Sequence, residues 1–199
     1  MIHALAFSVL PYFPSLSPLL SLQLFSSPLY SLQRDRALNL RIDTAQDREL
    51  PSAKGFRFAI VASRWNDSLV SRLLQGALEA LKESDADDSA IEIFRVPGSF
   101  EIPLCSLKAA ESAKFDAVIC LGVIIRGDTP HFDYVAAETA RGITEAGLKT
   151  GVPLLFGVIT ADNVEQAEAR AGAKHDNKGY DAAMAAVDVV NLYRKSFGS

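Results

Sequence analysis

His131 stands directly behind the run Gly127-Asp128-Thr129-Pro130. Histidine is the side chain whose charge changes near neutral pH, which suits it to moving protons. A short loop with a glycine, set before a helix, offers backbone N–H groups to an anion. Asp128 in that loop must then turn its carboxylate away from the anion. Two earlier runs carry complementary chemistry. Ser63-Arg64-Trp65-Asn66 contains the only tryptophan, a flat ring for stacking. Pro97-Gly98-Ser99-Phe100-Glu101 joins a glycine, where backbone can approach a ligand closely, to an aromatic ring and a carboxylate acceptor. Each of these residues also has an ordinary use. Trp65 can pack, Asn66 can cap the following helix, and Glu101 can be a first-turn acid favoured by the helix dipole. His131 can be a solvent-exposed cap.

The elements that must position these residues alternate in type. Phe56 to Ser63, Ile91 to Val96, Ala117 to Gly122 and Val152 to Ile159 are short apolar runs and read as strands. Between them, Leu69 to Glu83 carries apolar residues at helical spacing, and helices are also expected after Pro97-Gly98 to about Ser112 and over 132–150. Two more are expected over 164–171 and 180–197. Strands apolar throughout are buried on both faces, as in a parallel sheet covered by helices. The expected fold class is therefore α/β: a flavodoxin-like three-layer sandwich with a central parallel sheet of about four strands. In such sheets ligands bind beyond the carboxyl ends of the strands, and the chemistry-bearing runs stand there. No Gly-x-Gly-x-x-Gly follows the first strand and no phosphate-loop signature occurs, so the usual nucleotide fingerprints are absent.

Composition narrows the class further. The chain has 199 residues, 49% hydrophobic and 22% charged, with a net charge of −4, which suits one compact domain and argues against a nucleic-acid partner. The two cysteines, Cys105 and Cys120, lie in apolar stretches without metal-like spacing and read as buried free thiols in a reducing compartment. Cytoplasmic location is the corresponding expectation, with no metal and no membrane partner. Residues 1 to 54 differ from the rest. Met1 to Leu32 lacks Lys, Arg, Asp and Glu and is interrupted by Pro11, Pro14, Pro18 and Pro28, which argues against a membrane span. The division expected is a poorly ordered extension over 1–54, whether a misplaced start, a targeting segment or a tail, and a domain over 55–199.

Four strings carry a family resemblance: VPGSFEIP, LGVIIRGDTPHFDYV, GVPLLFGVIT and RAGAKHDNKG. In this order and spacing they resemble those of lumazine synthases, over about Phe56 to Phe197. The resemblance implies condensation of 5-amino-6-ribitylamino-uracil with 3,4-dihydroxy-2-butanone 4-phosphate, with no cofactor. It implies His131 as catalytic residue, and Trp65, Asn66, Ser99, Phe100, Glu101, Ile124, Ile125, Phe156 and Lys178 as substrate-binding. It further implies a phosphate site from Gly127, Asp128, Thr129 and Arg170; a solvated helix-face arginine is the ordinary alternative for the last. The family forms rings of five, some stacked into shells of 60 subunits, and association with riboflavin synthase is a further implied partnership. Its site lies between neighbours, with the matches of Phe156, Arg170 and Lys178 supplied by the next subunit. Asp176 stands where the family commonly has glycine, which puts the turn before Lys178 in question. A flavin-binding module and an inactive shell protein are the competing readings. The first does not need His131 and Arg170 together, and the second does not need the retained site residues.

Overall fold

The computed structural model describes residues 51–198. The extension expected over residues 1 to 54 therefore lies, up to residue 50, outside the described residues. Residues 52 and 53 belong to the packed fold. Ala53 is wholly buried and its N–H donates to the Ser84 carbonyl at 2.6 Å, while the Ser52 carbonyl accepts from Asn191 Nδ2 at 2.9 Å.

Among the described residues, four strands and five α-helices alternate up to β4 and end on two helices: β1 (Phe58–Ser63), α1 (Asp67–Glu83), β2 (Ile91–Val96), α2 (Ile102–Glu111), β3 (Ala117–Ile125), α3 (His131–Thr150), β4 (Leu154–Ala161), α4 (Val164–Arg170) and α5 (Lys178–Phe197). All strand pairings are parallel, in the order β2-β1-β3-β4. Successive side chains of a strand point to opposite faces, and the two faces have separate cores. Phe58, Ile60 and Ala62 of β1 pack with Leu69, Leu73, Ala77 and Leu81 of α1 and with Ala183 and Val187 of α5. Ala59 and Val61 pack on the other face with Ile102 and Ala109 of α2 and Ile143 of α3. The result is the three-layer α/β sandwich of flavodoxin-like type. Fully burying a side chain such as Leu73 or Ile60 contributes about 1.5–3 kcal/mol each, so the two apolar faces of the sheet hold the layers together.

Several boundaries differ from the sequence expectation, and three of the shifts have a clear local reason. Strand β3 runs past Gly122 to Ile125, because Ile124 and Ile125 pair with Thr160 and Ala161 of β4. A glycine usually weakens a strand. Here it makes room, since a Cβ on Gly122 would lie 2.6 Å from Ser99 Oγ. Strand β4 starts at Leu154 rather than Val152, just after Pro153, which has no N–H for a ladder. Helix α5 starts at Lys178 rather than Tyr180, because Asn177 Oδ1 accepts from the N–H groups of Gly179 and Tyr180.

Candidate active site

Beyond the carboxyl ends of β1, β2 and β3 lies a cavity of about 540 Å³. Its walls come from three strand-to-helix turns. In the turn after β1, backbone pairing outlasts the strand: Arg64 and Trp65 donate their N–H groups to the carbonyls of Val96 and Pro97 at 2.8 and 3.0 Å. The Trp65 backbone is thereby fixed while its ring stays 73% exposed. Asn66 adopts the left-handed conformation (φ 58°, ψ 43°), a state that asparagine tolerates better than most residues. It does not cap α1 with its side chain. Its Nδ2 instead donates to the Val123 carbonyl of β3 at 2.9 Å. The cap considered for Asn66 thus gives way to a tie between two walls of the cavity, which Asn66 also lines. Outside this turn, an Arg95 guanidinium nitrogen donates to the Ser63 carbonyl at 3.0 Å and pairs with Asp67.

The turn after β2 is built by its own carboxylate. Glu101 Oε2 accepts from the Gly98 N–H at 2.8 Å, and the Glu101 N–H donates to the Gly98 carbonyl at 3.3 Å. The structural reading of Glu101 is therefore realised, and the residue still faces the cavity. Ser99 is buried, whereas the Phe100 ring is 58% exposed. Pro103 sits in the first turn of α2, where its missing N–H costs nothing.

The third wall comes from Val123, Ile124 and Ile125 at the end of β3, then Gly127 and Thr129, and then His131, the first residue of α3. Arg126 fastens this segment. Its Nε donates to Asp162 at 2.9 Å, its Nη1 to Asp133 at 3.1 Å, and its guanidinium lies 4.1 Å from the centre of the Phe132 ring. The carboxylate of Asp162, then that of Asp133, raises the Arg126 pKa. Arg126 is thus spent on structure.

Ten of the residues singled out in the sequence line this one cavity: Trp65, Asn66, Ser99, Phe100, Glu101, Ile124, Ile125, Gly127, Thr129 and His131. Four do not. Asp128 is exposed and outside the lining. Phe156 lies on β4, 47% exposed, at the register of Cys120. Arg170 is the exposed last residue of α4, and Lys178 opens α5 with its Nζ 2.6 Å from Asp181 Oδ2. Lining residues that the sequence reading passed over are Val123, Phe132 and Val135. The spacing of Phe132 and Val135, three apart at the start of a helix that covers the strand end, is the signal that places both on one face. Asp176 lies in a short 3-10 turn and is absent from the residues with positive φ, so the glycine-like turn in question there is not formed.

The cavity offers two exposed aromatic residues, the buried Ser99, the Glu101 carboxylate and one imidazole, a set suited to binding a planar polar ring and moving protons. Among the described residues no cluster of His, Cys, Asp and Glu is arranged to hold a metal ion, and no helix is long and apolar enough to cross a membrane.

Comparison with known proteins bears on the same segment. The family model for 6,7-dimethyl-8-ribityllumazine synthase matches residues 55–194. The 6,7-dimethyl-8-ribityllumazine synthase of Syntrophus aciditrophicus is 57% identical over 143 residues, covering 72% of this chain and 93% of that protein. Those of Desulfatibacillum aliphaticivorans and Clostridium kluyveri are 55% and 53% identical, over 91% and 94% of their lengths and 71% and 72% of this chain. With a family match across nearly all of the packed domain and identities this high over nearly full-length relatives, the chain belongs to the 6,7-dimethyl-8-ribityllumazine synthase family.

Proposed function

We propose that the cavity holds 5-amino-6-ribitylamino-uracil with its ring against Trp65 and Phe100, and 3,4-dihydroxy-2-butanone 4-phosphate at the Gly127–Thr129 loop. The protein is a transferase of riboflavin biosynthesis that forms 6,7-dimethyl-8-ribityllumazine from these two substrates. Membership in the family leaves the flavin-binding module and the inactive shell protein without support. The observation that carries the site assignment is the convergence of His131, the loop before it and two exposed aromatic rings on one cavity. The aryl amine attacks the ketone and water leaves as the imine forms. Phosphate is then eliminated, and ring closure with loss of water completes the product. The enol left by phosphate loss tautomerises to the ketone that the ribitylamino nitrogen attacks in ring closure, and each of these bond changes is accompanied by a proton transfer between groups held in place. His131 serves as the acid and base, and the cavity supplies orientation.

Trp65 and Phe100 supply the stacking surface, worth about 1–3 kcal/mol per aromatic–base contact. Ser99 and the backbone around it meet the polar edge of the uracil, with Asn66, Ile124 and Ile125 along the ring. Glu101 keeps one carboxylate oxygen for the ribityl hydroxyls while the other holds Gly98. Phe156, Arg170 and Lys178 stand outside the cavity of their own chain, and in this reading they complete the cavity of a neighbour. Arg170 then grips the phosphate from across the interface. The assembly is a homopentamer whose exposed Trp65, Phe100 and Phe156 face adjoining subunits, and twelve such rings form the 60-subunit shell. Association with riboflavin synthase and a cytoplasmic location go with that reading.

The test is a rate assay with both substrates, following lumazine absorbance and phosphate release, on the wild type and His131→Ala. The wild type should release phosphate in step with lumazine. The variant should lose kcat by an amount up to the roughly 10²–10⁴-fold typical of a general acid or base, and should bind a substrate analogue as before. An unchanged kcat across the pH range would remove His131 from the mechanism, and wild-type protein without turnover would overturn the assignment of the cavity.

A further inference from the structure

Between Arg170 and Lys178 the chain makes a compact loop, closed by an isolated antiparallel bridge between Ala171 and Asn177. Asn177 is buried, 3% exposed. A primary amide has two N–H donors and two acceptor lone pairs on its oxygen, and all are used. Nδ2 donates to the carbonyls of Arg72 and Gly172, both at 3.0 Å, and Oδ1 accepts from the N–H groups of Gly179 and Tyr180 at 2.9 and 3.1 Å. Helix α1 makes way for this amide: a Cβ on Gly76 would lie 2.4 Å from Asn177 Oδ1. Gly179 allows the same close approach one step on, where a Cβ would meet the Leu73 carbonyl oxygen at 2.0 Å.

We propose that Asn177 is a positioning residue for the phosphorylated substrate, locking Arg170 and Lys178 to helix α1. The proposal rests on the reading of Arg170 as the group that grips the phosphate. One amide bonds the residue two places after Arg170, caps the helix that Lys178 opens, and anchors both to the carbonyl of Arg72. Arg72 lies five residues into the helix that begins just after Trp65 and Asn66. The side chains offered to a neighbour are therefore held rigidly to the helix that frames the chain's own cavity. A long cation on a loosely held loop loses side-chain and backbone freedom when it binds, whereas a fixed one has lost much of it on folding.

The decisive variant is Asn177→Asp, which keeps the acceptor that caps α5 and loses both donations to Arg72 and Gly172. Asn177→Ser keeps a capping acceptor without adding charge and leaves at most one of the two donations. Steady-state kinetics with each substrate varied in turn, on purified assembled protein, should show KM for the phosphorylated ketone raised about tenfold. KM for the uracil should stay within about twofold, since Trp65, Phe100 and Ser99 are untouched. Arg170→Ala, assayed in parallel, separates the two ideas. If Arg170→Ala leaves KM for the ketone unchanged, the phosphate reading of Arg170 fails and the inference falls with it. If Arg170→Ala raises that KM and neither Asn177 variant does, the phosphate reading stands and the positioning role is refuted. Equal rises in both KM values, or failure of both Asn177 variants to fold, would make the residue purely structural and equally refute it.

Discussion

Asn66 Nδ2 donates to the Val123 carbonyl at 2.9 Å, tying the left-handed turn after β1 to the end of β3 across the floor of the cavity. Two separate properties of asparagine are in use there, its tolerance of positive φ and its amide donor. Asn66→Gly retains the first and removes the second, and should cost about 1 kcal/mol, the net worth of one hydrogen bond. Asn66→Ala removes both and should cost about 1–2 kcal/mol more, the penalty of the left-handed conformation for a residue with a Cβ. Denaturant unfolding of the two variants in the same assembly state measures the difference. Equal losses would mean that the turn relaxes out of its left-handed shape when the bond is gone.

How much of this was legible in the sequence depends on where each interaction begins and ends. Trp65, Ser99 and His131 stand in the segments that come after apolar runs, and the rule that parallel sheets bind ligands at their carboxyl ends sufficed to group them. The continuation of β3 beyond Gly122 was hidden, because a glycine signals a break unless its neighbour in space is known to be Ser99. The Asn66 tie reaches 57 residues along the chain, and the Asn177 anchor at Arg72 reaches 105, so neither leaves a local pattern. Phe132 and Val135 were legible as helix core but not as cavity wall, since the same apolar face serves both.

Cys120 gives a prediction about alkaline pH. It is wholly buried, and burial pushes its thiol from 9.0 up to about 12, against a smaller lowering by the Ser106 hydroxyl. The folded chain thus holds the neutral thiol while the unfolded chain ionises near 9. Its contribution to stability is full below pH 9 and is lost progressively as pH rises from 9 towards about 12. Burial also raises the Cys105 pKa. At pH 8 a thiol reagent should label Cys120 only on unfolding, at the unfolding rate, and Cys105 more slowly than a free thiol in solution. Rapid labelling of both thiols in native protein would contradict the burial.

Residues 52 and 53 set where the chain can be cut. Removal of residues 1–50 spares the bonds of Ala53 to Ser84 and of Ser52 to Asn191, and we expect a folded, active enzyme. Removal of residues 1–54 deletes both bonds and uncovers the site of Ala53. That should cost about 2 kcal/mol, roughly 1 for each hydrogen bond, read as a lower denaturation midpoint with turnover per folded site unchanged. Identical stability of the two truncations would show that the segment before Gly55 adds nothing to the domain.

The last prediction concerns the boundary between subunits. Trp65 and His131 line the cavity of their own chain, while Phe156, Arg170 and Lys178 stand outside it. If neighbours in a ring complete each other's cavities, the contact is head-to-tail, with one face of each subunit meeting a different face of the next. Trp65→Ala should then spoil the site on one side of a subunit, and Arg170→Ala the site on the other. Each variant alone should be poorly active. Unfolded together and refolded at equal amounts, they form mixed rings in which some interfaces join an intact Trp65 to an intact Arg170. Random mixing gives that pairing at about a quarter of interfaces, because each partner is the required variant half of the time. Activity should therefore climb towards about a quarter of wild type, while native mass spectrometry confirms that the rings are mixed. Rings shown to be mixed that stay as inactive as the parents would place the whole site within one subunit.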